Sequence, residues 1–363
     1  MRRVGELRVA LVADQLRTRP TSGIATYTRG LLGGLRRLAE EAPAMTLVAG
    51  RPTSAHDPLA AWGWPVRSSR LPGRALVRLW DRGMGRLDTE ADVVHAASLA
   101  APPPGTAPLV VTVHDLAFRE VPDAFPSRGR RWHEAALGRA LRGAAAFVAP
   151  SDRTASLLVA AGAPAGRVTV INEGCDHLPV ADAEGARTAL AGIGVHGPYV
   201  LSVSTLEPRK NLPRLVEAYG RARERLPEPW PLVIVGPMGW GPALMPVPGV
   251  KLAGVVPDAV LAALYAGARC VAYVPLAEGW GLPAVEAMAA CTPVVASPMP
   301  STGGAALEVD PADVDAIADA LAVAAGDDLR RSELVTAGLL RAGELTWVAA
   351  ARAHVDLWEH VSG

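Results

Sequence analysis

Glu278 and Glu286 stand eight positions apart and bracket the stretch E-G-W-G-L-P-A-V-E, with a Gly-x-Gly turn and a proline between them. The run Cys270 to Val274 before it alternates like a short buried strand, and Ala284 to Ala290 after it is rich in helix formers. The turn therefore joins strand to helix, and Pro283 at the helix start loses nothing by lacking an N–H. Such a junction offers unpaired backbone N–H groups and the positive end of a helix dipole, which suits an anionic or hydroxyl-rich ligand. A solvated junction carrying two surface glutamates is the alternative that this stretch alone leaves open.

Three other places carry chemistry of the same kind. Arg209 and Lys210 lie in E-P-R-K-N, between a strand at Tyr199 to Val203 and a helix opening at Asn211, an N-cap residue type. Two adjacent cations at a strand-to-helix junction can neutralise charge that develops on a departing group. Lys210 and Lys251 are the only lysines in an arginine-rich chain, a hint that a compact ammonium is wanted at position 210. The bland alternative is an exposed helix start with stray basic residues. His114 and Asp115 follow the apolar run Leu109 to Val113, at the strand end where open α/β sheets take ligands. A histidine capping a strand end is the competing reading. Gly23 closes a loop between a strand at Leu7 to Val12 and a helix at Ile24 to Leu38, an arrangement that suits phosphate. Asp313 and Asp315 have the D-x-D spacing of a metal motif, but they begin the helical pattern Val314, Ile317, Leu321, so helix capping is expected there and no metal site.

The elements that must position these residues alternate. Strands are expected near Met45 to Ala49, Asp92 to Ala96, Ala146 to Pro150, Val168 to Ile171, Leu232 to Val235, Val250 to Ala253 and Pro293 to Ala296. Helices are expected at Arg131 to Arg142, Ser151 to Ala161 and Pro257 to Ala266. At 363 residues the chain has room for two such α/β domains, each with its own core. The balance of 36 basic against 36 acidic residues argues against a nucleic-acid binder. Cys175, Cys270 and Cys291 are few, odd in number and far apart, which fits a reducing cytoplasm and no disulfide or metal framework. The first twelve residues hold an arginine pair and an apolar run without a small-residue cleavage site, and so read as a strand. The uncharged stretches Val93 to Val113 and Pro229 to Val250 contain four and six prolines, too many for membrane helices. Arg70, Arg74, Arg78, Arg82 and Arg86 recur every four residues, giving a basic helix face that Gly83 and Gly85 end before the last arginine.

Taken together these segments resemble the retaining glycosyltransferases of family 4. E-G-W-G-L-P-A-V-E matches that family's E-x7-E signature, E-P-R-K-N its diphosphate motif, V-T-V-H-D-L-A-F-R-E its H-D-L segment, and T-S-G-I-A-T-Y-T its G-G-I-G-R-Y loop, with Ala25 in place of a glycine. N-E-G-C-D resembles its P-N-G-V-D, with Asn172 for the proline. P-M-P-S-T-G-G-A-A after Ser297 is several residues shorter than the usual loop and lacks its P-E-V.

The resemblance implies an α/β chain of GT-B fold, two doubly wound parallel-sheet, Rossmann-like domains facing across a cleft, with a C-terminal helix crossing back to the first. The acceptor-side domain would be 1–178 plus 345–363, and the nucleotide-sugar-binding domain 179–344. It further implies a retaining, metal-independent hexosyltransferase with no cofactor. The donor would be a nucleotide diphosphate sugar, GDP-mannose before UDP-sugars, and the acceptor a glycan, lipid-linked or small-molecule group, as in bacterial polysaccharide assembly. Arg209 and Lys210 would stabilise the diphosphate. Glu278 and the amides of Gly279, Trp280, Gly281 and Leu282 would hold the sugar, Glu286 the ribose, and His114 with Asp115 would lie by the sugar. Gly23 would approach the pyrophosphate. The basic faces at Arg70 to Arg82 and near Arg131 lead us to expect peripheral contact with anionic membrane on its cytoplasmic side; an ordinary solvated helix explains them equally. A weakened GT-B protein serving as a partner subunit is the alternative function, favoured by the shortened loop.

Overall fold

The computed structural model describes residues 7–18, 22–54, 56–87, 89–241 and 247–363. The arginine pair Arg2 and Arg3 and the residues Pro20 and Thr21 of the glycine loop lie outside the described residues. The chain divides into two compact units. The first holds Met1–Phe118, Pro126–His177 and Thr346–Gly363, and the second Arg119–Phe125 and Leu178–Leu345. The short segment Arg119–Phe125 thus packs with the second unit, although its place in the chain lies well before a boundary at 178.

Seven strands build the first unit: β1 (Arg8–Val12), β2 (Ala44–Ala49), β3 (Val66–Ser68), β4 (Val93–Ala96), β5 (Leu109–Thr112), β6 (Ala146–Ala149) and β7 (Val168–Val170). All pair in parallel, in the order β3-β2-β1-β4-β5-β6-β7. Their central members are short, mostly apolar and fully buried, broken by His95 in β4 and Thr112 in β5. The chain runs outward from β1 to β3, returns beside β1 with β4, and runs outward again to β7. The order therefore reverses between β1 and β4, which makes their carboxyl ends the crevice of this sheet.

The last helix, Trp347–Ser362, completes this unit by packing on the helix Gly23–Arg37. Glycines permit the approach: a Cβ on Gly30 would lie 2.0 Å from the Trp347 ring, and one on Gly34 would lie 2.1 Å from the Trp347 carbonyl. Thr346 caps the helix by accepting from the Ala349 N–H, and Asp176 accepts from the Trp347 N–H at 2.7 Å.

The second unit repeats the plan with β8 (Val200–Val203), β9 (Leu232–Val235), β10 (Val250–Gly254), β11 (Cys270–Tyr273), β12 (Val294–Ala296) and β13 (Leu307–Glu308). The order is β10-β9-β8-β11-β12-β13, all parallel, so this sheet reverses between β8 and β11. Leu215, Tyr219, Ile234, Ala272 and Leu321 lie in its core. These two sheets bear out the doubly wound α/β expectation.

Two local expectations need correction. The arginine-rich helix spans only Gly73–Asp81, because Pro72 stands at its N-cap and Gly83 and Gly85 turn left-handed after it. Arg70 therefore lies outside it and Arg82 only caps it, while Arg86 falls beyond its end as expected; Arg70, Arg74, Arg78, Arg82 and Arg86 are all exposed. Asn211 precedes the helix Leu212–Arg223 but makes no side-chain cap. Its backbone is left-handed where a cap needs it extended, Pro213 at the second helical position has no N–H, and the Asn211 Oδ1 accepts from Arg214 Nη1 at 3.0 Å instead.

Candidate functional site

In the second unit the loops after β8 and β11 leave the sheet on either side of its switch point, and they carry Arg209, Lys210 and Glu278. Asn211 joins the two loops. Its backbone is left-handed, and its amide donates to the Val274 carbonyl at 3.1 Å and the Pro311 carbonyl at 2.7 Å. The Leu276 N–H adds a bond to the Arg209 carbonyl at 2.9 Å. The Asn211 amide thus fixes the cationic loop against the end of β11.

One oxygen of Glu278 then gathers three donors. Oε2 accepts from Lys210 Nζ at 2.6 Å, from the Tyr273 hydroxyl at 2.6 Å and from Arg209 Nη1 at 3.1 Å. Lys210 Nζ also reaches the Tyr273 hydroxyl at 2.6 Å, so the three groups form a closed triangle. Arg209 Nη1 also donates to the Ala277 carbonyl at 3.1 Å, and Nη2 on its other side donates to Glu207 at 3.0 Å. Burial alone would raise the Glu278 pKa, but Lys210 and Arg209 outweigh it and hold the carboxyl well below its ordinary range. Burial and then Arg209 lower the Lys210 pKa, against the pull of Glu278. The Tyr273 pKa rises well above its usual value through burial and then the Glu278 charge, so its hydroxyl stays protonated and donates. The result is a rigid, nearly dry cluster of two cations and two carboxylates whose donors are already in place for an anion or a sugar hydroxyl.

The glycine turn sits beside it. Gly281 has φ +104°, and a Cβ there would lie 2.3 Å from Met299 Sδ and 3.0 Å from Ser301 Oγ, so only glycine fits. Ser301 Oγ donates to the Gly281 carbonyl at 3.2 Å, and Arg341 donates to the Ser301 carbonyl at 2.9 Å. The shortened segment after Ser297 is therefore a packed buttress for the turn, with Ser301 and Thr302 wholly buried. Trp280 is buried too, whereas the helix Leu282–Ala289 begins directly after the turn with Pro283 at its second position. Glu286 lies in that helix at 6% exposure, and accepts from the Tyr265 hydroxyl at 2.7 Å. Asp313 caps the helix Val314–Gly326 by accepting from Ala316 N at 2.9 Å, and Asp315 pairs with Arg221. Among the described residues no three His, Cys, Asp or Glu side chains group as a metal site would require.

In the first unit His114 follows β5. Its Nε2 lies 2.9 Å from the Ala97 carbonyl, at the end of β4, and its Nδ1 3.2 Å from Oε1 of buried Glu173. The Tyr27 ring meets it edge-on at 4.7 Å between centroids. Asp115 begins a short helix by accepting from Ala117 N at 3.0 Å. Gly23 is the first residue of its helix, with Ser22 as the cap, and nothing crowds the place a Cβ would take.

The second sheet thus brings Arg209, Lys210 and Glu278 together beside Gly279 to Leu282, with Glu286 one helical turn further on. His114, Asp115 and Gly23 belong to the first unit. Tyr273, Glu207, Glu173 and Tyr265 take part without having been singled out by sequence. Tyr273 reads as core within an apolar strand, and Glu207 was legible only as the first letter of E-P-R-K-N.

Comparison with known proteins is consistent across the chain. The family model "Glycosyltransferase Family 4" matches residues 21–177, and "Glycosyl transferases group 1" matches residues 197–327. The chain is 32% identical over 257 residues to an O-antigen chain mannosyltransferase B of Escherichia coli, an alignment covering 66% of each. It is also 32% identical over 221 residues to a D-inositol 3-phosphate glycosyltransferase of Xylanimonas cellulosilytica, covering 54% of this chain and 52% of that one. The alignments thus span somewhat under two thirds of these relatives' own lengths. Among solved structures it resembles Anabaena HepE in complex with UDP and glucose, with a TM-score of 0.71 and 18% identity, covering 98% of this chain and all of that one. It also resembles the sucrose-phosphate synthase of Thermosynechococcus elongatus, with a TM-score of 0.73 and 19% identity, covering 98% and 99%. These structural likenesses show a GT-B fold.

Proposed function

The chain belongs to glycosyltransferase family 4, and on that premise we propose that it moves a hexose from a nucleotide diphosphate sugar to a glycan, lipid-linked or small-molecule acceptor with retention of anomeric configuration. The single observation that carries this reading is the triad of donors on Glu278 Oε2 at the β8–β11 switch point. Arg209 and Lys210 are preorganised cations for the departing diphosphate, and preorganised charge is the largest source of stabilisation for such a step. Glu278 and the Gly279 to Leu282 segment take the sugar, and Glu286, oriented by Tyr265, the ribose. His114 and Asp115 serve the transferred sugar, and Gly23 opens a helix whose free N–H groups suit phosphate.

Mannose is the sugar we favour, supported by the mannosyltransferase relative, which makes GDP-mannose the first donor to test and UDP-sugars the second. Polysaccharide assembly is the setting that relative suggests. No resident metal is invoked, because Arg209 and Lys210 supply the positive charge while Asp313 and Asp315 are committed to a helix cap and an ion pair. A thermal-shift screen of nucleoside diphosphates tests the reading at low cost. A ligand at a hundred times its Kd adds about 2.7 kcal/mol of stability, and a flat response to GDP and UDP alike would remove the donor site.

Peripheral membrane contact on the cytoplasmic side is a further part of the proposal. Arg70, Arg74, Arg78 and Arg82 are exposed, as are Leu71 and Met84, a pairing of basic and apolar groups that suits an anionic bilayer surface. No described helix is long and apolar enough to cross a membrane. Equal co-sedimentation with neutral and anionic vesicles would discard the idea.

A further inference from the structure

The imidazole of His114 is enclosed by two groups that only accept. A backbone carbonyl has no proton to give, so the 2.9 Å contact with Ala97 requires a proton on Nε2. On the other side Nδ1 faces Oε1 of Glu173 at 3.2 Å. The proton between them belongs on the ring, since an imidazolium ordinarily holds its proton about 2 pKa units more tightly than a glutamic acid does. Glu173 is 4% exposed and the His114 side chain 19%, so the carboxylate is shielded from water and stays on the ring.

We propose that Glu173 is a positioning residue that keeps His114 doubly protonated, so that His114 acts as a fixed cation at the carboxyl end of β5 and serves neither as a base nor as a lone-pair acceptor. Both of its N–H groups are thereby committed, one to Ala97 and one to Glu173, so it neither donates to a ligand nor exchanges a proton with one. The groups that face His114 are Glu173, Asp115 beside it in the chain, His95 on β4, and Tyr27 from the helix Gly23–Arg37. Of these only Glu173 and Asp115 carry charge, both negative: His95 is kept neutral by burial, and Tyr27 is buried and protonated. Burial pulls the His114 pKa down, but the Glu173 hydrogen bond and charge, the Ala97 carbonyl and Asp115 together raise it above the ordinary value.

The protonation state is a property of the free protein, and only its effect on turnover rests on the glycosyl-transfer reading. The test is nitrogen NMR of the full chain labelled at histidine, recorded at pH 7.5 and assigned with His114→Gln. The two ring nitrogens of an imidazolium resonate close together, whereas those of a neutral ring are widely split. The expected result is an unsplit His114 in the wild type and a split one in Glu173→Gln, with Glu173→Asp restoring the unsplit form. Turnover of Glu173→Gln at pH 8 should fall about tenfold for each unit by which the His114 pKa drops, and should recover as pH is lowered. A split His114 in the wild type at pH 7.5 overturns the proposal whatever the variants do, and so does an unsplit one in Glu173→Gln. A chain with no transferase activity still answers the question, so this failure and that of the proposed function are separable.

Discussion

Trp358 donates its indole N–H to Nδ1 of His95 across 3.2 Å, and because an indole nitrogen only donates, the His95 proton must sit on Nε2. Nε2 then donates to Thr112 Oγ1 at 2.8 Å, Thr112 to the Tyr27 hydroxyl at 3.0 Å, and Tyr27 to His354 Nε2 at 2.8 Å. His354 ends the chain by donating from Nδ1 to the Ala350 carbonyl at 2.7 Å. All five side chains are buried, each gives one proton in one direction, and both histidines are neutral. The network ties the last helix to β4, β5 and the helix Gly23–Arg37 within the first unit.

That wiring makes the first unit acid-sensitive. Burial pushes the His354 pKa down to about 4, against the help of the Ala350 carbonyl, while the unfolded chain titrates near the ordinary value of about 6.5. A folded pKa below the unfolded one means stability that is complete above about 6.5 and is lost as pH falls toward 4. The loss is on the order of 3 kcal/mol for His354. Urea melts at pH 7.5 and 4.5 should show it, and His354→Gln should reduce the difference, leaving the part that buried His95 contributes. An equal slope in the variant would mean that other groups are responsible.

The diphosphate clamp should fail without its ammonium. Removing one preorganised donor in other enzymes costs roughly 100- to 1,000-fold in kcat, and Lys210→Ala should lose about that much; its melting temperature should fall as well, because Glu278 is left buried with one cation fewer, while the fold is kept. Arg209→Lys should also be impaired, because the arginine fork spans Glu207, Ala277 and Glu278 and a point charge reaches one partner at a time. Steady-state kinetics decide, and wild-type turnover in Lys210→Ala would place the leaving-group charge elsewhere.

Glu286→Ala should weaken nucleotide binding more than it slows the chemical step, since a ribose contact is present equally in ground and transition states. Tyr265→Phe should act in the same direction and more mildly. It removes one donor from a buried carboxylate and leaves Glu286 less firmly oriented toward the ribose. Titration calorimetry with the preferred nucleoside diphosphate measures both. Unchanged affinity in Glu286→Ala would end its ribose role.

Gly281→Ala should cost both stability and nucleotide affinity. The left-handed backbone and the collision with Met299 oppose any side chain, a strain of about 1–3 kcal/mol at such a position. Pairing it with Met299→Ala makes room but leaves the backbone strain, so partial recovery of the melting temperature is expected. Full recovery would show that the turn tolerates a side chain once Met299 is gone.

Much of this was legible before any coordinates. The central strands are, because each is a short apolar run ended by turn residues, and the two sheets follow from the alternation of strand and helix. The edge strands β3 and β13 are not, with three and two residues and no apolar pattern to mark them. At the site, Glu278 and Lys210 are visible as motif letters, but the bond between them depends on β8 lying beside β11, a neighbour relation between residues 68 apart in sequence. Tyr273 is hidden for the same reason, since nothing in an apolar strand distinguishes a core tyrosine from one whose hydroxyl bridges two charges. Glu173 is hidden more deeply, because its partner His114 lies 59 residues upstream, on another strand end. Asn211 misleads outright: its type says cap, but its backbone is left-handed and its Oδ1 accepts from the Arg214 side chain, neither of which the sequence shows.

The most direct measurement is the turnover of GDP-mannose, with UDP-glucose alongside, by purified protein in excess EDTA, following nucleotide release and the anomeric proton of the sugar product by NMR. Slow transfer to water serves in place of the natural acceptor. The expected result is nucleotide release unaffected by the chelator, a first-formed sugar with the donor's own anomeric configuration, and loss of both signals in Lys210→Ala. Release that stops in EDTA and returns with manganese, or a first-formed sugar of inverted configuration, would contradict a retaining transfer driven by Arg209, Lys210 and Glu278.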